Sequence, residues 1–154
     1  LEGLGGYEFE RRHQVALGAN GPVLAVSHDK SFAVYELVDD EWKALPALPK
    51  SKGCLLPVDI QADPVRVVTR SCAGYGKLRA SYFDGERWHE ASRAPLSLKP
   101  AYKAQQRPDT SVAWLGTTPY IAIGYYGAPV VRVFEASGKG WSTHLQAFVD
   151  AVSP

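Results

Sequence analysis

Four histidines and two cysteines are the side chains of this sequence most suited to metal or nucleophilic chemistry. The histidines, His13, His28, His89 and His144, are scattered along the chain. None belongs to a His-Glu-x-x-His motif or accompanies paired cysteines, which are the spacings that hold zinc. A Gly-x-Ser-x-Gly elbow and a phosphate-binding loop are also missing from the sequence. The sequence therefore predicts no metal site, no cofactor and no catalytic activity.

Cys54 and Cys72 support a sharper inference from geometry. They flank a predicted hairpin turn at 61–64, and each stands nine residues from position 63 at its centre. In an antiparallel pair the two cysteines would lie opposite each other, near the Cα separation that a disulfide requires. We predict a bridge, with two free thiols in a packed sheet as the alternative. A bridge would indicate an oxidising compartment.

Trp42, Trp88 and Trp141 mark an internal repeat, because they lie 46 and 53 residues apart. Eleven residues before each tryptophan begins a segment rich in β-branched and aromatic residues, which predicts a strand. A turn with Asp-Asp, Asp-Gly or Gly-Lys-Gly separates that strand from the tryptophan, as in a hairpin. The three predicted strands span 31–37, 77–83 and 130–136.

Each unit contains three further predicted strands. One opens with a proline, where no backbone donor is needed, and covers 22–26, 64–68 or 119–123. Another precedes it, and a short one follows the tryptophan. The sequence thus predicts an all-β protein with three four-stranded antiparallel repeats. The units span about 13–53, 54–109 and 110–154, forming one domain after an N-terminal extension at 1–12.

Two architectures fit three such units, part of a β-propeller and a β-trefoil. We favour the propeller, because continuous apolar runs such as Ile121-Ala-Ile suit strands that are buried on both faces. Propellers close with about 4 to 8 blades. Three blades would leave two apolar sheet faces uncovered. A homodimer with six blades, or docking into a larger assembly, would cover them.

Segments of the units resemble blades of known families. Residues 64–68 with 76–88 look like a blade of the fungal fucose-binding lectins, in which Arg66 would contact the sugar and Ala80 replaces the family's glutamate. The first and third units align Leu24 and Ile121 with Arg66. Residues 34–37 and 42–49 are similar to a kelch blade without its double glycine. Residues 111–134 look like a WD-repeat blade without its Gly-His and Trp-Asp signatures.

The aromatic residues outside the repeat suggest a binding site. Trp114 occurs in one unit only, aligned with Ala16 and Val58, whereas the three repeated tryptophans are interpreted as packing residues. Two tyrosines flanked by glycines predict an exposed aromatic pair at a turn. The predicted binding residues are Tyr125, Tyr126, Trp114, Arg66 and Arg132.

Composition limits the classes of partner. The 154 residues include 17 Lys and Arg against 16 Asp and Glu, in no long block of one sign, which disfavours nucleic acid. No apolar run approaches the roughly 18 residues that span a bilayer. The absence of Met suggests a chain processed from an organellar or secreted precursor, a tag-derived start at Leu1-Glu2, or a fragment.

These observations favour a non-catalytic interaction or assembly module, acting as a subunit of a larger complex or as a homo-oligomer. The alternative is a carbohydrate-binding lectin that forms a homo-oligomeric propeller. Its saccharide would stack on aromatic residues between blades.

Overall fold

The computed structural model describes residues 13–28, 30–50, 53–99, 106–126 and 130–148. The predicted N-terminal extension lies outside these ranges. The described residues form thirteen strands and no helix, which confirms the all-β prediction. Accordingly, these residues provide no helix with the length and apolar character needed to cross a membrane. The strands are β1 His13–Gly18, β2 Gly21–His28, β3 Ser31–Val38, β4 Glu41–Ala44, β5 Leu55–Gln61, β6 Arg66–Ser71, β7 Lys77–Phe83, β8 Trp88–Glu90, β9 Leu96–Ser97, β10 Gln106–Leu115, β11 Thr118–Tyr126, β12 Val130–Ala136 and β13 Trp141–Phe148.

The strands form three antiparallel sheets in which neighbours in sequence are neighbours in space. Sheet 1 has the order β1-β2-β3-β4, and sheet 3 has the order β10-β11-β12-β13. Sheet 2 has the order β5-β6-β7-β8, with β9 also paired to β7. No closed barrel forms among the described strands, as a trefoil would require. Sheet 3 begins at Gln106, slightly before the predicted boundary at 109–110.

The hairpin turns before the three repeated tryptophans lie where the sequence predicts them. In sheet 1, Asp39 and Asp40 adopt φ angles of 53° and 63° between β3 and β4. Two successive left-handed residues match the right-handed twist of the flanking strands. Strands β7 and β12 have the predicted bounds.

The second unit differs from the predicted alignment around Pro64. This proline lies in a four-residue turn at 62–65, whereas Pro22 and Pro119 lie within strands that follow two-residue turns. Strand β6 therefore begins at Arg66, which pairs with Tyr82. The longer turn shifts the structural equivalents by one position. They are Val23 and Tyr120, and the predicted equivalence with Leu24 and Ile121 is wrong.

Sheet 2 lies between the other two sheets. One cluster of buried residues joins sheets 1 and 2 through Val23, Val34 and Val67, and a second joins sheets 2 and 3 through Val68 and Ile121. Val67 is 1% exposed and its neighbour Val68 is 0% exposed, although they point to opposite faces. The apolar run in β6 is therefore buried on both sides, as the sequence predicts for a sandwiched strand.

A disulfide joins Cys54 and Cys72 across the start of β5 and the end of β6, with Cα atoms 5.4 Å apart. The turn places Gln61 opposite Arg66, and that register alone would offset the cysteines by one residue. An irregularity between Pro57 and Asp59 adds one residue to β5 and restores the alignment. The Cys72 N–H then donates to the Cys54 carbonyl at 3.2 Å.

Removing the disulfide should destabilise the protein. The bridge links residues 18 positions apart, and a loop of this size contributes about 3 kcal/mol by restricting the unfolded chain. We expect the double variant Cys54→Ser with Cys72→Ser to lower the free energy of unfolding in urea by about that amount. Reductant should destabilise the natural chain but not the variant. An unchanged urea midpoint in the variant would show that the bridge contributes nothing.

Candidate interaction surface

The repeated tryptophans occupy one face of each sheet, which we name the tryptophan face. Each tryptophan lies in the fourth strand of its unit and pairs with a residue of the third. The pairs are Trp42 with Leu37, Trp88 with Phe83, and Trp141 with Ala136. The three units therefore have equivalent faces, and the remaining face of each sheet is named the opposite face.

Trp88 and Trp141 both anchor their sheet to the preceding one. The Trp88 indole N–H donates to the Pro46 carbonyl at 2.7 Å, in the segment after β4. The Trp141 indole N–H donates to the Ala94 carbonyl at 2.9 Å, in the segment after β8. Trp88 packs into the cluster between sheets 1 and 2, and Trp141 packs against the cluster between sheets 2 and 3. Packing is therefore the role of these two tryptophans.

Trp42 occupies the equivalent position in sheet 1, but no described sheet packs against it. Its side chain is 48% exposed, whereas Trp88 is 7% exposed. On the same face Val15 is 67% exposed and Leu17 is 84% exposed. Their cross-strand neighbours Leu24 and Pro22 continue the apolar surface. The tryptophan face of sheet 1 is thus an open apolar surface of a kind that sheets 2 and 3 bury.

The opposite face of sheet 3 is also open at the other end of the stack. Leu115 is 71% exposed and Leu145 is 54% exposed. Leu145 lies across from Val133, which is partly exposed. Large apolar side chains therefore mark both ends of the described stack.

A polar network lies on the opposite face of sheet 3. The Tyr120 hydroxyl donates to Glu135 Oε1 at 3.0 Å, and His144 Nδ1 lies 3.2 Å from Glu135 Oε2. The Tyr120 and His144 rings meet edge to face at 5.3 Å. The hydrogen bond to the Glu135 carboxylate raises the pKa of Tyr120, because it stabilises the protonated phenol. Sequence reasoning missed this network, since only the pairing of β11, β12 and β13 brings the three residues together.

Two of the predicted binding residues, Trp114 and Arg66, do meet in the structure. The Arg66 guanidinium carbon lies 5.7 Å from the centre of the Trp114 ring, within the range of a cation–π contact. Arg66 Nη1 also donates to the Gly116 carbonyl at 2.9 Å. Trp114 faces Pro119 across β10 and β11, as Leu17 faces Pro22 in sheet 1. The predicted alignment of Trp114 with Ala16 is therefore wrong by one residue.

Asp59 completes this contact between sheets 2 and 3. Its Oδ2 accepts a hydrogen bond from the Trp114 indole at 3.2 Å. Burial raises the pKa of Asp59, and the Trp114 bond and the Arg66 charge only partly oppose that effect. The polar groups of Arg66 and Trp114 thus hold two sheets together.

The prediction of an exposed aromatic pair is wrong for Tyr125. Gly124 lies within β11 and not in a turn, and strand alternation directs Tyr125 towards sheet 2. The Tyr125 hydroxyl donates to the Leu98 carbonyl at 2.9 Å, and its ring packs against the cluster between sheets 2 and 3. Burial raises the pKa of Tyr125, and the charge of Arg132 opposes this rise. Tyr126 ends β11, and its side chain lies outside the described part of the structure.

An open cleft runs between sheets 1 and 2, with Glu36 and Asp63 on its walls and Phe83 and Asp84 beside them. None of the predicted binding residues is among its described lining residues. The described residues also contain no group of three or more His, Cys, Asp or Glu side chains arranged to hold a metal ion.

Comparison of the chain with protein-family models, with curated proteins and with solved structures found no match.

The raised pKa of Asp59 predicts a specific dependence of stability on pH. The folded state holds the Asp59 proton more tightly than the unfolded state does, so this group contributes most below its ordinary pKa. The contribution is lost as the pH rises through the raised value. Asp59→Asn cannot ionise, although its amide oxygen can still accept the Trp114 bond.

We therefore expect Asp59→Asn to gain stability relative to the natural chain between pH 3 and pH 7, as measured by urea unfolding. Asp109→Asn is the matched control, because Asp109 is exposed on neighbouring strand β10. Parallel stability curves for Asp59→Asn and the natural chain would contradict the assigned pKa shift.

Proposed function

We propose that this protein is a non-catalytic assembly module, whose sheets act as blade-like units of a β-propeller. Its two end faces pack against further four-stranded sheets of the same kind. The observation that carries the proposal is the exposure of Trp42, Leu17 and Val15 on a face that is buried in the other two units. The partner is thus a sheet with an apolar face.

The two contacts inside the chain support this proposal because they follow one rule. In each, the opposite face of one sheet packs on the tryptophan face of the next. A backbone carbonyl after the fourth strand accepts the indole N–H. Among the described strands, no sheet precedes sheet 1 and none follows sheet 3. Applying the same rule at the two end faces adds one further sheet at each end, and sheets packed in this order form the ring of a propeller.

The energetics favour covering these faces. Burying a fully exposed Leu or Val side chain contributes about 1.5–3 kcal/mol. Leu17, Val15, Leu115 and Leu145 are each more than half exposed. Partner sheets would recover several kcal/mol, and the near-neutral net charge of +1 offers little repulsion against association.

Carbohydrate binding remains the alternative prediction. Of the residues predicted for it, Trp114, Arg66 and Tyr125 make contacts between sheets 2 and 3. These contacts support packing as their role, and so the assembly function is preferred.

Footprinting with hydroxyl radicals tests whether the end face is covered. We expect Trp42 in the natively purified protein to be protected to a degree comparable with Trp88 and Trp141. The matched control is Leu17→Asp, because a charge on the same face should weaken packing and expose Trp42 while leaving the internal tryptophans protected. Rapid oxidation of Trp42 in the natural protein at every concentration tested would overturn the proposed function.

A further inference from the structure

We infer that the partner is a second copy of this chain, joined head to tail through both ends, so that two copies close a ring of six sheets. In each contact, Leu17 of one copy packs on Tyr120 of the other. This inference rests on the proposed function, because it names the partner of the same open faces.

The position of Leu17 follows from the contact between sheets 2 and 3. Leu17 in sheet 1 is the structural equivalent of Trp114 in sheet 3, since each faces the proline after a two-residue turn. Trp114 packs on Arg66, which belongs to the opposite face of sheet 2. The equivalent of Arg66 in sheet 3 is Tyr120. Arg66 pairs with Tyr82, which directly precedes Phe83, the partner of Trp88. Tyr120 pairs with Glu135, which directly precedes Ala136, the partner of Trp141. Repeating the contact therefore places Leu17 on Tyr120 of the other copy.

The surroundings of Tyr120 suit such a contact. Its hydroxyl already donates a hydrogen bond to Glu135, and packing against the ring would leave that hydrogen bond intact. Val133 and Leu145 lie on the same face, and both are at least partly exposed. Around Tyr120 the polar side chains are thus already paired with one another and apolar side chains lie beside them, which suits contact with Leu17 and Val15.

The number of sheets selects two copies. One copy has three sheets, two copies have six, and a propeller closes with about 4 to 8. Three copies would make nine. The two-fold axis of such a dimer produces two identical contacts, so that neither end face stays open.

The contact area is also sufficient. A four-stranded sheet face with strands of these lengths covers roughly 400 Å², from the strand spacing and the rise per residue. The four end faces of a closed dimer would then bury roughly 1,600 Å², the area typical of stable complexes.

Charge variants on the two end faces distinguish head-to-tail pairing from every other arrangement. Leu17→Asp places a charge on the tryptophan face of sheet 1, and Leu145→Lys places one on the opposite face of sheet 3. We expect native mass spectrometry and light scattering to show a dimer for the natural chain. Each variant alone should be monomeric, with a dissociation constant raised about 100-fold or more because each contact buries an unpaired charge.

Mixing the two variants should restore a dimer. The heterodimer retains one contact between two natural faces, namely that between sheet 1 of the Leu145→Lys chain and sheet 3 of the Leu17→Asp chain. Its formation also proves that both variants are folded. Tyr75→Asp is the matched control, because Tyr75 is 46% exposed in a turn of sheet 2, away from both end faces. This control should dimerise like the natural chain.

Several outcomes would overturn the inference. If Leu145→Lys stays dimeric while Leu17→Asp does not, sheet 1 pairs with itself. If the natural chain is monomeric, or if its mass reveals a different polypeptide, the partner is not a second copy. Where sheet 1 pairs with itself or a different polypeptide is bound, a protected Trp42 in the footprinting experiment would preserve the proposed function, whereas a protected Trp42 in a monomer would contradict that function as well. Failure of the mixed variants to dimerise, with both folded by circular dichroism, would also exclude the ring.

Discussion

The structure depends on a hydrogen bond that no unit can complete alone. The indoles of Trp88 and Trp141 donate to carbonyls of the preceding unit, at Pro46 and Ala94. Each indole finds its protein acceptor only when its sheet is stacked on another, and for the buried Trp88 an unpaired N–H would be costly. This requirement fixes the order of the sheets and which face of each sheet meets the next. It also explains why Trp42, which has no described sheet before it, is the most exposed of the three.

Sheet 2 shows what complete stacking achieves. Val67 and Val68 point in opposite directions and both are almost fully buried, so one strand serves two clusters. The contacts differ in character. The tryptophan face of sheet 2 meets sheet 1 through an apolar cluster and through a Gln14 side-chain N–H that donates to the Val58 carbonyl at 2.8 Å. Its opposite face instead adds the charged groups of Arg66 and Asp59 around Trp114. The polar groups set the lateral position of sheet 3, because an indole N–H and a guanidinium require specific geometry.

The tryptophan spacing predicted the strands and turns well, because turn chemistry and β-branched residues act locally. Facing directions were harder to predict, since a shift of one residue moves a side chain to the other side of its sheet. Pro64 lies in the turn at 62–65, whereas Pro22 and Pro119 lie in strands, so aligning the three prolines misplaced Arg66 by one position. Trp114 was aligned with Ala16 and not with Leu17. The cysteines were aligned correctly only because the irregularity near Val58 offset the displacement of the turn from 61–64 to 62–65. The Tyr120 network depends on long-range pairing that the sequence does not display.

The unlike character of the two end faces argues against pairing of either face with itself. The tryptophan face of sheet 1 presents the exposed apolar side chains of Trp42, Leu17 and Val15. The opposite face of sheet 3 combines apolar side chains with a paired polar network around Glu135. A protein that ended its stack in water would be expected to carry polar end faces, as capping repeats do. Unlike faces join head to tail, and such contacts grow into filaments unless the rotation closes. The proposed closure into a ring of six sheets would remove both exposed ends at once.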